Sequence, residues 1–285
     1  RSMKKIGNTG SFNNFYLNNQ IYVDKTEYIY NLLNKEARVF ISRPRRFGKS
    51  LTLDTIATLF ETGVEPYFKG TWIYDKWTEP TYPVLRLNFL NFDKNSIEKF
   101  NNKLNSKITE FAELNHVTTY KEKKEAEDSI DHLLEQLRLE GRQIVILIDE
   151  YDCQMTANIN NETLYKQFQE KIKSFYANIK DKFAIKFLGI TGVTRLKDVS
   201  IFSVGSDIND ITNASAYSQM IGFTRDEIKK YYIDYLKLAS SYENNCSVDN
   251  VTDEQIESLL DRLAKNYDGY CFDEFYKKKV FSTWS

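Results

Sequence analysis

Five consecutive aliphatic residues, Ile144-Val145-Ile146-Leu147-Ile148, followed at once by Asp149 and Glu150, constrain this chain more than any other stretch of it. A strand that is apolar at every position has no face to give to water, so it belongs in the middle of a parallel sheet covered on both sides. Two carboxylates at its C-terminal end then fall on the sheet edge where the ligands of such folds collect.

The remaining pattern agrees with an α/β core. Residues 38–42 and 84–89 read as strands, and residues 183–191 as a second buried strand. Between them, apolar residues recur at helical spacing over 51–60, 97–114, 122–139 and 163–178. Strands separated by helices of this length make a parallel sheet with right-handed crossovers. Residues 6–23 read as turns and short strands, and Asp24-Lys25-Thr26-Glu27 caps a helix over 28–34. After Arg195 the texture turns to Ser, Gly, Asp and Asn, with a short strand expected at 209–212. Thr224-Arg225-Asp226-Glu227 is a capping box, and helices are expected over 228–238 and 253–265. The expected division is a core over 3–221 and a helical lid over 222–285.

Composition excludes several function classes. With 41% hydrophobic and 28% charged residues, the chain is too apolar for disorder and too charged for a multi-span membrane protein. Its longest aliphatic run is far short of the roughly 20 residues that a membrane helix needs. Three cysteines, Cys153, Cys246 and Cys271, have no C-x-x-C spacing, which points to neither a disulfide framework nor a zinc ribbon but to a reducing, cytoplasmic setting. His116 and His132 stand far from any ligand-like partner. Arg1 and Ser2 ahead of Met3 read as residues left by cloning, and the aromatic end at 280–285 reads as a cut from something longer. The balance of 39 basic and 40 acidic residues leaves no overall field, so any polyanion must be gripped locally.

A local grip is available at Arg43-Pro44-Arg45-Arg46-Phe47-Gly48-Lys49-Ser50-Leu51, which lies between a strand and a helix. In the phosphate loop G-x-x-x-x-G-K-[ST], backbone N–H groups and the helix N-terminus hold phosphate oxygens, the lysine reaches the β/γ-phosphates, and the hydroxyl binds Mg²⁺. Gly48, Lys49 and Ser50 fill the last three positions, and Arg43 stands where the first glycine belongs. The competing reading, a basic turn capping an ordinary helix, loses weight because Asp149-Glu150 follows roughly a hundred residues later, in the order a nucleotide site requires. There Asp149 can hold the Mg²⁺ shell and Glu150 can orient and deprotonate the attacking water. The second buried strand ends in Thr191-Gly192-Val193-Thr194-Arg195. Thr191 can bond the γ-phosphate or the lytic water, and Arg195 can neutralise transition-state charge, in its own subunit or a neighbour's. A turn-forming Thr and a surface Arg are the alternative.

With these residues in hand, the chain resembles the predicted AAA-ATPase-like family of bacterial proteins. The likeness rests on the segments 22–27, 43–50, Ile148-Asp149-Glu150-Tyr151-Asp152, 191–195, Gly222-Phe223-Thr224 and Tyr267-Asp268-Gly269-Tyr270, in that order. The missing first glycine is itself a feature of that family. The resemblance implies a P-loop NTPase three-layer sandwich of the additional-strand type, with Walker A and Walker B motifs and a helical lid. It places the carboxylate strand one strand away from the loop strand, and Asp24, Lys25 and Thr26 beside the nucleotide base, against the plainer reading of a helix cap. Many members continue into a PD-(D/E)XK nuclease-like domain, for which this chain shows no Asp plus Glu-x-Lys arrangement.

The expected activity is Mg²⁺-dependent ATP binding and hydrolysis, fast or slow. Lys49, Glu150, Thr191 and Arg195 are its catalytic residues, residues 43–51 its nucleotide loop, and Ser50 and Asp149 its metal ligands. Expected partners are ATP, further copies of the chain and an attached or separate nuclease-like effector, with nucleic acid left open and no membrane. The alternative is a low-turnover nucleotide switch or scaffold regulating a nuclease or nucleic-acid process. It is favoured by the lack of a clear lid arginine other than Arg225 and Arg262.

Overall fold

The computed structural model describes residues 3–6, 11–43, 48–179, 182–199, 201 and 207–267. Pro44, Arg45, Arg46 and Phe47 of the basic loop, the expected lid motif at 268–270 and the aromatic end lie outside the described residues. Near the N-terminus, strands β1 (Lys5–Ile6) and β2 (Gln20–Ile21) pair in parallel around helix α1 (Asn13–Leu17). Helix α2 (Thr26–Lys35) leads into β3 (Arg38–Ser42), and α3 (Lys49–Thr62) begins directly after the loop. There follow β4 (Val84–Asn88), α4 (Ile97–Leu114), α5 (Ala126–Leu139) and β5 (Ile144–Asp149). Next come α6 (Cys153–Ala157), α7 (Glu162–Ala177), β6 (Ile185–Gly192), α8 (Leu196–Val199) and β7 (Asn209–Asp210). Helices α9 (Arg225–Tyr231), α10 (Ile233–Glu243) and α11 (Asp253–Tyr267) complete the order.

The main sheet runs β4-β5-β6-β3-β7 with every pairing parallel. Strand β6 therefore separates the loop strand β3 from the carboxylate strand β5, the additional-strand order that the resemblance implies. Because side chains alternate along a strand, β5 sends Ile144, Ile146 and Ile148 into one core cluster and Val145 and Leu147 into another. The first cluster is closed by α4, α5 and α7 through Phe100, Leu133 and Phe168, the second by α2 and α3 through Leu32, Ile56 and Phe60. This is the three-layer α/β/α sandwich expected. A third cluster joins α9, α10 and α11 through Ile228, Tyr232, Leu236 and Leu260, and it also takes in Ile21 and Val23 from the N-terminal segment.

Helix α3 buries threonines at a helical stride without orphaning them. The hydroxyls of Thr52, Thr55 and Thr58 donate to the carbonyls of Gly48, Leu51 and Asp54 respectively, and the exposed Thr62 donates to that of Thr58. That lets a polar helix pack under the sheet behind the loop.

Several expected boundaries move, each for a local reason. Helix α5 starts at Ala126 rather than 122, because the amides of Asn101 and Asn105 take the carbonyls of Lys123 and Lys124 and hold that approach out of the helix. Phe183 is 85% exposed and lies before β6, which begins at Ile185. The single helix expected over 228–238 is two, broken at Tyr232, whose buried ring packs edge-on against Phe223. Within the N-terminal stretch, residues 13–17 are helical.

The segment Asp24-Lys25-Thr26 ties three elements together. One Asp24 carboxylate oxygen accepts from the Thr26 N–H and hydroxyl, and the other accepts from the Trp72 N–H. The buried Lys25 ammonium donates to the Gln219 carbonyl and to Glu227 Oε1, both at 2.6 Å. Glu227 also closes the capping box of α9 with Thr224. Burial lowers the Lys25 pKa, opposed by the Glu227 carboxylate beside it. Removing one partner of such a pair strands the other, so Lys25→Met is expected to cost about 3 kcal/mol, read from chemical denaturation. A loss below about 1 kcal/mol would reduce the pair to a surface contact.

Candidate functional site

Parallel register brings the ends of β3, β5 and β6 to one edge of the sheet. Ile41 and Ser42 lie beside Thr191 and Gly192, and Ile148 lies beside Ile190. The loop after β3, the carboxylates after β5 and the Thr-Gly turn after β6 therefore meet there.

Gly48 precedes α3 with φ of 83°, in the left-handed region that an L side chain enters only with strain. This explains a glycine at this position of the loop. Lys49 is buried, and its ammonium donates to the carbonyls of Arg43 at 2.8 Å and Gly192 at 3.1 Å and lies 3.7 Å from Glu150 Oε1. The Ser50 hydroxyl donates to Asp149 Oδ2 at 2.5 Å, and the Thr191 hydroxyl donates to Asp149 Oδ1. Asp149 is thus the hub at which the Gly-Lys-Ser loop, the end of β5 and the end of β6 converge. Leu51 is half-buried against the α2–α3 side of the sheet.

Glu150 is also buried and has φ of 55°, an uncommon conformation for a residue with a side chain. The chain turns there so that β5 ends abruptly, its Tyr151 N–H donating to the Thr191 carbonyl. Asp149 and Glu150 are adjacent in sequence but serve different neighbours, Ser50 and Thr191 for the first and Lys49 for the second.

The arginines divide differently. Arg43 donates from its guanidinium to the Thr212 carbonyl at 2.7 Å, fastening the loop to the segment after β7. Arg195 lies 3.8 Å from Asp210, and its terminal nitrogens donate to the Asn213 amide oxygen at 3.1 and 3.2 Å. Its buried Nε has no hydrogen-bond partner among the described residues. Arg225 is bound to Glu257 and Asp261, and Arg262 to Glu243, so neither expected lid arginine is directed at this site. Asp24, Lys25 and Thr26 are occupied as the knot described above.

The donor set suits a phosphate with a hard cation. A serine hydroxyl and a carboxylate that already touch are oxygen ligands of the kind Mg²⁺ takes. A buried ammonium, a helix N-terminus and an orphan guanidinium N–H are the groups that phosphate oxygens satisfy. Among the described residues no group of three or more His, Cys, Asp and Glu is arranged to hold a metal, and His132 Nδ1 accepts from the Lys121 N–H instead.

The family model described as predicted AAA-ATPase (AAA-ATPase-like) matches residues 6–202, from the first strand to beyond the Thr-Gly turn. The chain belongs to that family. It is 32% identical over 235 residues to an "Uncharacterized protein in vnfD 5'region" of Azotobacter chroococcum mcd 1, a match covering 75% of this chain and 45% of the other. The chain thus spans less than half of that relative's length. Among solved structures, Cdc6p from Pyrobaculum aerophilum is similar with a TM-score of 0.34 and 15% identity, over 74% of this chain and 47% of that one. A likeness that loose carries no argument.

Tyr151 and Asp152 carry no role in the sequence pattern, yet both reach the turn after β6. In the sequence they stand as the last two residues of the segment Ile148-Asp149-Glu150-Tyr151-Asp152, and their partners lie more than 40 positions away.

Proposed function

We propose that this AAA-ATPase-like chain binds ATP with Mg²⁺ and hydrolyses it at the β3–β5–β6 edge. The observation that carries the reading is the contact of Ser50 with Asp149 across 99 positions, with Lys49 beside them. Lys49 would exchange its two carbonyl partners for phosphate oxygens, and Ser50 and Asp149 would hold the metal, which when bound neutralises phosphate charge. Glu150 would take the proton of the attacking water, Thr191 would orient that water or the γ-phosphate, and Arg195 would offer its orphan Nε–H to developing charge. Arg43 would position the loop through Thr212 rather than touch phosphate. The loop residues 44–47 would complete the cradle.

Coupling to a partner would pass through the helical unit taken as 222–285. A side chain on Gly48 would come within 3.8 Å of the Gly222 nitrogen, so the loop and the start of that unit are direct neighbours. The nuclease-like effector and association with further copies of the chain belong to this proposal, as does a cytoplasmic setting. Among the described residues no helix is long and apolar enough to cross a membrane.

A second reading, a nucleotide switch with little turnover, is favoured by the engagement of Arg225 and Arg262 elsewhere. Phosphate release and labelled-ATP binding separate the two. The wild type is expected to bind and hydrolyse, and Lys49→Ala to lose both by at least about tenfold, a 1.4 kcal/mol effect. Tight binding with a melting shift and no phosphate release selects the switch. Equal binding by wild type and Lys49→Ala overturns both.

A further inference from the structure

We propose that Asp152 and Tyr151 are positioning residues for the turn that follows β6, and that through Gly192 they set the resting place of the Walker lysine. The proposal rests on the ATPase reading and extends it to two residues outside the phosphate loop and the metal pair.

Asp152 occupies the N-cap position of α6 yet makes no side-chain cap to its own helix. Its carboxylate, on a residue only 1% exposed, crosses instead to the β6 turn, accepting from the Thr194 N–H at 2.7 Å and the Val193 N–H at 3.4 Å. Among the described residues no cation pairs with it. A buried carboxylate without a counter-ion is costly unless backbone donors use its charge, and two consecutive N–H groups do so here. Tyr151 acts on the same turn from beneath, its phenol donating to the Thr194 carbonyl at 2.6 Å. A phenol is a hydrogen-bond donor at physiological pH, and the Thr194 carbonyl is its acceptor here.

The turn held in this way touches the catalytic groups on its other side. The Gly192 carbonyl accepts from Lys49 Nζ and from the Arg43 N–H, both at 3.1 Å, while Thr191 donates to Asp149. The ring of Tyr151 fills the space where a side chain at Gly192 would stand, so ring and turn are in direct contact. A shift of the turn therefore moves Thr191 against Asp149 and changes where Lys49 rests before phosphate takes it over. Small displacements of such groups lower turnover strongly while leaving nucleotide affinity nearly unchanged.

Tyr151→Phe and Asp152→Asn, both near-isosteric, test this in the full chain with labelled-ATP binding and phosphate release. Each is expected to keep the nucleotide dissociation constant within about threefold and to lose about tenfold in kcat, the worth of one positioning hydrogen bond. The loss should shrink in a Thr191→Val background, because part of it passes through Thr191 and part through the Gly192 carbonyl on Lys49. Wild-type turnover with unchanged kcat in both variants overturns the proposal, as does a loss that simply adds to that of Thr191→Val. A wild type that releases no phosphate removes the hydrolysis reading and this proposal together.

Discussion

Glu150→Gln is expected to bind ATP at least as well as the wild type and to hydrolyse it about 10²- to 10³-fold more slowly, the range that loss of a positioned general base produces. The substitution keeps size and shape but removes the charge that lies 3.7 Å from the Lys49 ammonium. Lys49 then surrenders less when it turns to phosphate, so affinity should hold or rise while turnover collapses. The backbone supports giving Glu150 this role. A residue with a side chain at φ of 55° carries strain of order 1–3 kcal/mol, and such strain gathers at functional sites. Here Glu150 reaches Lys49 while Asp149 accepts from Ser50 and Thr191, so two adjacent acids serve different partners. Phosphate release and equilibrium binding on the same preparation check the prediction. A kcat within about twofold of wild type would remove Glu150 from the base role and leave it as a partner of Lys49.

The centre of this fold was legible because its signal is local. An all-apolar strand ending in two acids has one comfortable place in an α/β sheet, and β5 occupies it. Gly48-Lys49-Ser50 was legible for the same reason, since a left-handed glycine, a lysine and a hydroxyl sit on consecutive residues of one turn. What escaped depends on partners far away in the chain. Thr224-Arg225-Asp226-Glu227 reads as a capping box, and it is one, but Glu227 also receives Lys25 from 202 positions earlier. Arg195 reads as a cation for phosphate, yet in this structure Asp210 and Asn213 share it, which only the docking of β7 beside β3 makes possible. The break at Tyr232 was hidden because apolar periodicity runs straight through it; there the backbone leaves the helical region at φ of −111° while the ring is buried beside Phe223.

Gly192→Ala is the change expected to harm the molecule most. A Cβ there would meet the Tyr151 ring at 2.2 and 2.4 Å and Asp152 Oδ1 at 2.8 Å, distances that packed atoms do not tolerate. Tyr151 cannot swing aside, because it is wholly buried, stacked edge-on against Phe40 at 5.2 Å and hydrogen-bonded to Thr194. Overpacking a site of this kind costs about 3 kcal/mol or more. Gly189→Ala is the internal comparison on the same strand. Its nearest contacts are the methyl end of Leu147 at 3.0 Å and the ring edge of Phe187 at 3.2 Å, both looser than those at Gly192, so its cost should be nearer 1 kcal/mol. Urea denaturation should therefore rank Gly192→Ala well below Gly189→Ala, and equal midpoints would show that the Tyr151 ring yields. Adding Tyr151→Ala to Gly192→Ala should cost less than the sum of the two single changes, because the methyl group then has room. It should restore no turnover, because the phenol that holds Thr194, and through it Thr191 and the Gly192 carbonyl, is then gone.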